Sequence, residues 1–396
     1  MKQEREAMPH EPRAKKPGRS RGPSPTRPVN LSASVVIIGG GVMGCAAAHE
    51  LSRRGVEVTV LERSVPGAEA SSAAAGILGA QVESHHPGPL TELGLLSREL
   101  FPGLVKDLER TSGVSLGYRR SGVLKVAYAA GDVAKLSREL AWQRKAKLPL
   151  ERLTRRAALA REPSLSPSVA GGMWFEADAT LEPRALLSAL RISAEKSGAQ
   201  FRSGSFVKRI AEQGGRAIGV ALDDGSLVKG SQVVLAAGSW TSLLNMPANP
   251  RARVVPARGQ IVELTTSVPL LSSVVFGPDC YLVPRADGRL LIGSTLELVG
   301  FRRGVTAGAV AKLLAAAIRL VPALAEAELS GSWSSFRPYT EDELPLLGPS
   351  ATAGLILMSG HYRNGILLAP ISAQIVAACV LGEKPPLDLT PFSPDR

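Results

Sequence analysis

The chain has 396 residues, 44% hydrophobic and 21% charged, a composition ordinary for a globular α/β protein that can bury one large core or two medium ones. Three scattered cysteines, Cys45, Cys280 and Cys379, form no CxxC pair. That excludes a disulfide framework and a zinc centre, and points to a reducing, cytoplasmic setting. The net charge of +12 suggests nucleic acid at first sight, but much of it is local: eight Lys/Arg against three Glu crowd residues 1–30.

Residues 1–31 are rich in Pro, Gly and Ser and nearly devoid of apolar side chains, so they are expected to be a disordered basic tail. Met8 is an alternative start. The apolar run Ala33–Ala48 that follows imitates a secretory signal, but it carries Gly39, Gly40, Gly41 and Gly44 and no twin-arginine pair precedes it. No stretch reads as apolar for long enough to span a bilayer, so no membrane partner is expected and a nucleic-acid partner is disfavoured.

From Ala33 the chain reads ASVVIIGGGVMGCAAAHELSRRGVEVTVLER. Val35–Ile38 is a short apolar run, as expected of a central parallel strand. Gly39, Gly41 and Gly44 follow in G-x-G-x-x-G spacing, Cys45–Arg54 reads as a helix ended by Gly55, and Val56–Leu61 as a second strand ending in Glu62. Each part has a task. Gly39 permits the tight turn, Gly41 lets backbone approach a pyrophosphate, and Gly44 lets the helix pack on the strand. The helix N-terminus offers N–H groups to phosphates, and Glu62 can accept from ribose hydroxyls. An acidic residue at 62 argues against a 2′-phosphate, leaving FAD or NAD open.

Three further segments bear on that choice. Ala70–Ala80, ASSAAAGILGA, is a dense run of small residues, read either as a flexible loop or as backbone packed against something flat or charged. Val233–Thr241, VVLAAGSWT, is an apolar strand running into a small-residue turn containing Gly238. Gly360–Pro370, GHYRNGILLAP, puts turn chemistry before an apolar helix near Ile371–Leu381.

Taken with CYLVPR, LIGST and FRPYTEDELPLLGP, these segments resemble the D-amino-acid oxidase and sarcosine oxidase superfamily, and within it the glycine oxidase branch of thiamine biosynthesis. The resemblance runs from Ser34 to about Leu381. It implies an α/β fold with a Rossmann-type FAD-binding domain and a second, mainly antiparallel β-sheet substrate domain. The FAD-binding domain would be discontinuous, built from 32–113, 182–248 and 336–385, with 114–181 and 249–335 forming the substrate domain.

The resemblance also implies roles. Val42 and Met43 would lie over the pyrophosphate, and Glu62 and Arg63 would hold the adenosine side. Ala70, Ser71, Ala75, Gly76 and Ile77 would line the phosphates and the isoalloxazine. Val207, on a strand after the helix Pro183–Lys196, would meet the adenine. His361, Tyr362, Arg363, Asn364, Gly365, Ile366 and Leu367 would bind the flavin ring. Some relatives attach flavin through a cysteine, but Arg337–Pro338–Tyr339–Thr340 contains none, so the FAD is expected to be non-covalent.

On the substrate side, Gly122–Tyr128, Gly171–Phe175, Gln260–Leu264, Ser273–Phe276, Tyr281–Pro284 and Leu290–Gly293 read as strands, and Thr306–Leu320 as an apolar helix. An amino-acid substrate needs a fixed partner for its carboxylate, which the planar fork of an arginine suits. Arg337, after the strand-like run Gly331–Phe336 and before a proline, is expected at a strand end. By resemblance it is the carboxylate anchor, with Tyr281 placing its hydroxyl near the same carboxylate or the amine. Arg363 reaches the substrate or orders the flavin loop, and His361 positions backbone rather than transferring protons. Where the family can carry a His two residues before the tyrosine and a Met fifteen after it, this chain has Asp279 and Leu296, which puts strict glycine selectivity in doubt.

The function implied is FAD-dependent oxidative deamination of glycine or a similar small amino acid or amine. Molecular oxygen would be the acceptor, and imine, 2-oxo acid, ammonia and hydrogen peroxide the products. A sarcosine or D-amino-acid dehydrogenase and a tRNA-modifying flavin oxidase are the alternatives, and a homo-oligomer is left open.

Overall fold

The first strand, Ser34–Ile38, is apolar on both faces and sits inside a six-stranded sheet. Glu57–Leu61 and then Gln200–Arg202 flank it on one side, and Gln232–Leu235, Leu355–Ser359 and Leu346–Pro349 on the other. All of these pairings are parallel except the last, between Leu346–Pro349 and Leu355–Ser359. The computed structural model describes residues 34–247, 250–251 and 253–396, so the expected basic tail at 1–31 lies outside the described residues.

Two helices that carry apolar faces, Val42–Arg53 and Pro183–Lys196, pack with Pro89–Ser112 and Gly365–Leu381 into one continuous core with this sheet. Val42 and Met43, expected in the glycine loop, are already the first helical residues. Gly55, at φ +77°, stops that helix in the left-handed region where only glycine is unstrained.

A second sheet has eight strands in the order Glu328–Tyr339, Val255–Thr265, Arg289–Gly293, Tyr281–Pro284, Val274–Phe276, Val123–Ala127, Gly171–Phe175 and Glu151–Thr154. It is antiparallel apart from one parallel pairing, Val274–Phe276 with Val123–Ala127. The amphipathic helix Ala307–Leu320, capped by the Thr306 hydroxyl, buries Leu313, Ala317 and Leu320 against one face. The other face, carrying Ile261, Val283 and Tyr281, looks toward Ala75 and Ile77. Arg285 ties the two layers together, donating to the Ala75 and Leu181 carbonyl oxygens from a nearly buried position.

Three expectations change. Arg337 is not at a strand end, because the strand runs on to Tyr339 and Arg337 pairs with Ala257. Pro338 is tolerated there because this is the sheet's edge strand, where a missing N–H leaves no ladder bond open. The C-terminal helix begins at Gly365, well before Ile371, and carries Pro370 inside it. That lengthening also corrects the reading that no stretch could span a bilayer. Tyr362–Leu381 is long and apolar enough by length and composition, though most of it is buried by the protein's own core.

One buried polar network underlies the junction of the two layers. The Asp178 carboxylate, fully buried, accepts from the backbone N–H groups of Gln81 and Val82 and from Arg98 at 3.0 Å, and Arg98 also donates to the Gln81 side chain. Removing the cation alone strands a buried charge, which costs about 3–5 kcal/mol. Arg98→Met is therefore expected to lower the denaturant midpoint by a stability loss of that size, measured by circular dichroism during urea unfolding.

Candidate active site

Between the carboxyl ends of the parallel strands and the second sheet lies a cavity of about 340 Å3. Every cofactor or catalytic residue singled out from the sequence lines it except Gly44, Asn364 and Leu367, while Asp279 and Leu296 line a separate hollow that shares Tyr281 and Arg337 with it. The three exceptions belong to the frame. Gly44 packs so tightly that an added Cβ would stand 1.9 Å from the Gly39 oxygen, and the Leu367 carbonyl accepts from Ser97 inside the core. Asn364 precedes the first residue of the C-terminal helix.

At one end of the cavity the chain turns from strand to helix with almost no intervening space. Gly39 has φ +105°, and a Cβ there would meet the Ala236 oxygen at 2.5 Å on the neighbouring parallel strand. The helix Val42–Arg53 has no side-chain cap from Gly41. Its first N–H groups lack intrahelical partners, as at any helix start, and that of Val42 donates to Ser71 Oγ at 2.9 Å. The Ser71 hydroxyl keeps its own proton to donate onward. Glu62 accepts from the Gly40 and Ser64 N–H groups, one on each carboxylate oxygen, which leaves lone pairs on both. Arg63 stacks 3.9 Å over the Trp240 ring and pairs with Glu69 at 2.6 Å. Val207 lies beside the half-exposed Phe206 at this end.

The middle is lined by Ala70, Ser71 and the run Ala73–Ile77, which is a one-turn helix, Ala70–Ala73, and a two-residue strand rather than a flexible loop. Gly76, at φ +73°, is pressed against the Leu181 carbonyl, so its small size serves a close backbone approach. Gly238 and the segment His361–Arg363 close the opposite wall, followed by the start of the C-terminal helix at Gly365 and Ile366. His361 is buried, with Nε2 3.0 Å from Ser372 Oγ and Nδ1 without a partner among the described residues. Burial pulls it down to about 3, so it stays neutral.

At the far end, Arg337 and Tyr281 occupy slots opened by glycines on neighbouring strands. The Arg337 guanidinium crosses diagonally over Gly259, where a Cβ would lie 2.2 Å from Nη1. It donates to the Thr295 carbonyl at 3.1 Å and to Ser294 Oγ at 2.6 Å. Both partners are neutral, and among the described residues no carboxylate pairs with it. Tyr281 lies over its strand partner Gly293, where a Cβ would come 2.2 Å from the hydroxyl. Arg363, by contrast, already has a carboxylate partner, Glu83 at 3.1 Å, and that anion holds its guanidinium above the ordinary range.

The residues fit FAD. Glycine positions that a methyl group would fill, a free helix start, a partnerless buried His361 Nδ1 and a wall of small residues together suit a long, flat, phosphate-bearing ligand. Sequence reasoning missed Trp240, Phe206, Glu83, Ser294, Thr295 and the two slot glycines, Gly259 and Gly293. Trp240 stood within the VVLAAGSWT motif and could have been found. Gly293, Ser294 and Thr295 stood within LIGST in the same way, but the role of the slot glycines could not be read, because the side chains that use them come from other strands.

The chain is similar to known proteins in four respects. The FAD dependent oxidoreductase family matches residues 34–379. The chain is 38% identical over 366 residues to a glycine oxidase of Geobacillus kaustophilus, covering 91% of this chain and 96% of that one. The crystal structure of glycine oxidase from Geobacillus kaustophilus superposes with a TM-score of 0.87 at 38% identity, covering 92% of this chain and 99% of that one. A bifunctional ThiO/ThiG protein of Synechocystis is 39% identical over 376 residues, 93% of this chain but only 54% of that protein, so the chain spans about half its length.

Two outcomes are expected. Gly259→Val should displace the Arg337 guanidinium and lower kcat/KM on the best amino acid by about 10–100-fold, with the flavin content of the purified protein unchanged. His361 is held down to about 3 and His49 to about 4, both mainly by burial, so each is neutral when folded and protonates more easily when unfolded. Their contribution to stability is present above about pH 6.5 and is lost as pH falls toward 4 and 3. Denaturant midpoints should therefore fall between pH 7 and 4.5, and less steeply in His49→Met.

Proposed function

The chain belongs to the FAD dependent oxidoreductase family, and we propose that it oxidises the C–N bond of glycine or a similar small amino acid or amine. FAD, when bound, supplies the acceptor for the hydride leaving the substrate Cα and returns the electrons to molecular oxygen as hydrogen peroxide. The imine left behind hydrolyses to a 2-oxo acid and ammonia. The resemblance to the thiamine branch and the likeness to a ThiO/ThiG protein support a second fate for it, in thiazole synthesis.

The observation that carries this reading is Arg337, a cation in the cavity wall held by two neutral oxygens and lacking a counter-ion among the described residues. Two of its five N–H donors are engaged, which leaves the others for a carboxylate. Tyr281 lines the same cavity, with its hydroxyl available to the carboxylate or the amine. His361, neutral and bonded to Ser372, acts as a positioning group, and Arg363, paired with Glu83, orders its loop. No strong general base is required, because orientation of Cα–H and a neutral amine suffices.

We assign the cofactor's phosphates to Gly39, Gly41 and the start of the helix Val42–Arg53, with Ser71 as donor, and its ribose to Glu62. Arg63, on Trp240, and Val207 take the adenosine side, while Ala75, Gly76, Ile77 and residues 361–366 take the flavin. Non-covalent attachment is supported by the thiols. Burial pushes Cys45 and Cys280 up to about 12 and raises Cys379, and none of the three lines this cavity. We assign the FAD-binding domain to 32–113, 182–248 and 336–385 and the substrate domain to 114–181 and 249–335, with the strand Glu328–Tyr339 running through the junction. The three free cysteines support a cytoplasmic setting.

The test is anaerobic titration of the yellow protein with glycine, sarcosine, D-alanine and D-proline in turn. Bleaching of the flavin band by one of them, with one peroxide per turnover once air is admitted, is the expected result. A flavin that none of the four reduces rules out the small amino-acid reading. Arg337→Ala should cost about 2–5 kcal/mol of substrate binding, read as a rise in the concentration of the best amino acid that half-bleaches the flavin.

A further inference from the structure

A second cavity, of about 500 Å3, adjoins the first on its outer side. Glu83 and Arg363 line both, so this ion pair forms the partition between them. The charges in the outer cavity are nearly all matched. Arg363 pairs with Glu83 at 3.1 Å and Lys135 with Glu139 at 3.8 Å. Asp132 is exposed at the rim, in the first turn of the helix Ala130–Glu139, where the helix dipole favours an anion.

Lys125 remains. It sits in the centre of the strand Val123–Ala127 between Leu124 and Val126, which face the opposite core. Its side chain turns instead onto the face that carries Val123, into the outer cavity. Among the described residues its ammonium has neither a hydrogen bond nor an ion pair. Burial pulls it below the ordinary lysine range, against the opposing pull of Glu83 and Glu139 and with a smaller contribution from Arg363. A half-buried cation at the middle of a strand is costly unless an anion joins it.

We propose that this cavity is an antechamber for the substrate, in which Lys125 takes the carboxylate of a small zwitterionic amino acid before the amino acid passes the Glu83–Arg363 pair toward Arg337. The exposed rim carboxylate, Asp132, receives the ammonium end, so the cavity offers a partner to each charge of the molecule. The proposal rests on the amino-acid reading of the inner site. It adds a second carboxylate site, on the path rather than at the chemistry.

The experiment uses the FAD-loaded enzyme and 13C-labelled glycolate as a carboxylate probe, with bound probe counted by NMR titration. The expected result is two sites in the wild type, one in Lys125→Met and a different one in Arg337→Ala. In turnover, Lys125→Met should lose roughly 3–10-fold in kcat/KM, with a flatter dependence on salt. The loss should fall on kcat/KM rather than on kcat, and Lys125→Arg should restore it. Unchanged glycolate stoichiometry in Lys125→Met overturns the antechamber, and so does an equal loss in kcat and kcat/KM. If no amino acid bleaches the wild-type flavin, the proposed function fails by itself, and the glycolate count in the wild type and Lys125→Met still decides the antechamber.

Discussion

At the turn from the first strand into the first helix, the Gly39 and Ala236 oxygens leave no room for a methyl group at Gly44 or Gly39. This close approach lets a helix start directly above the end of a central parallel strand, with its N–H groups facing the cavity. The cavity takes its position from that turn. Gly365 and Ile366 bring a second helix start to the same space from the other end of the chain. Glu62, at the end of the adjacent strand, is drawn into the turn by the Gly40 N–H. A cofactor site assembled this way depends on backbone more than on side chains, which is why so many of its residues are small.

The far end of the cavity is organised on the opposite principle. There the eight-stranded sheet presents long side chains, and glycines on neighbouring strands provide the space they lie in. Arg337 over Gly259 and Tyr281 over Gly293 are paired features: neither side chain could lie where it does if its neighbour carried a Cβ. Neutral oxygens from Ser294 and Thr295 fix the guanidinium without neutralising it. The charge stays available, and a rigid, uncompensated cation is what recognition of a carboxylate requires.

Between the two layers the structure relies on buried polar groups that are nearly all satisfied. Arg285 clamps the Ala75 and Leu181 carbonyls, and Asp178 holds the backbone at Gln81 and Val82, immediately before Glu83. Glu83 in turn holds Arg363. A line of specific contacts thus runs from the core to the partition between the two cavities. The position of that partition depends on the packing at Arg98 as well as on the loop that carries Arg363.

Read alone, the sequence determined the elements whose signals are local. These were the strand, glycine turn, helix and acidic residue from Ser34 to Glu62, the helix Pro183–Lys196 and the apolar strands around Tyr281. Period and spacing within a short window suffice for these, because the physical cause lies within the window. It also marked nearly half of the residues that line the cavity, through motifs that resemble a known family. Only the tertiary structure decided the rest. Arg337 lies inside an edge strand because Val255–Thr265 pairs with it, Ala257 standing opposite Arg337 and eighty residues before it, and the C-terminal helix begins at Gly365 because the core receives its whole length. The slots at Gly259 and Gly293, the pairing of Arg363 with Glu83 and the isolation of Lys125 are relations between residues far apart in the chain. No local pattern encodes them, since each exists only once two strands have found their register.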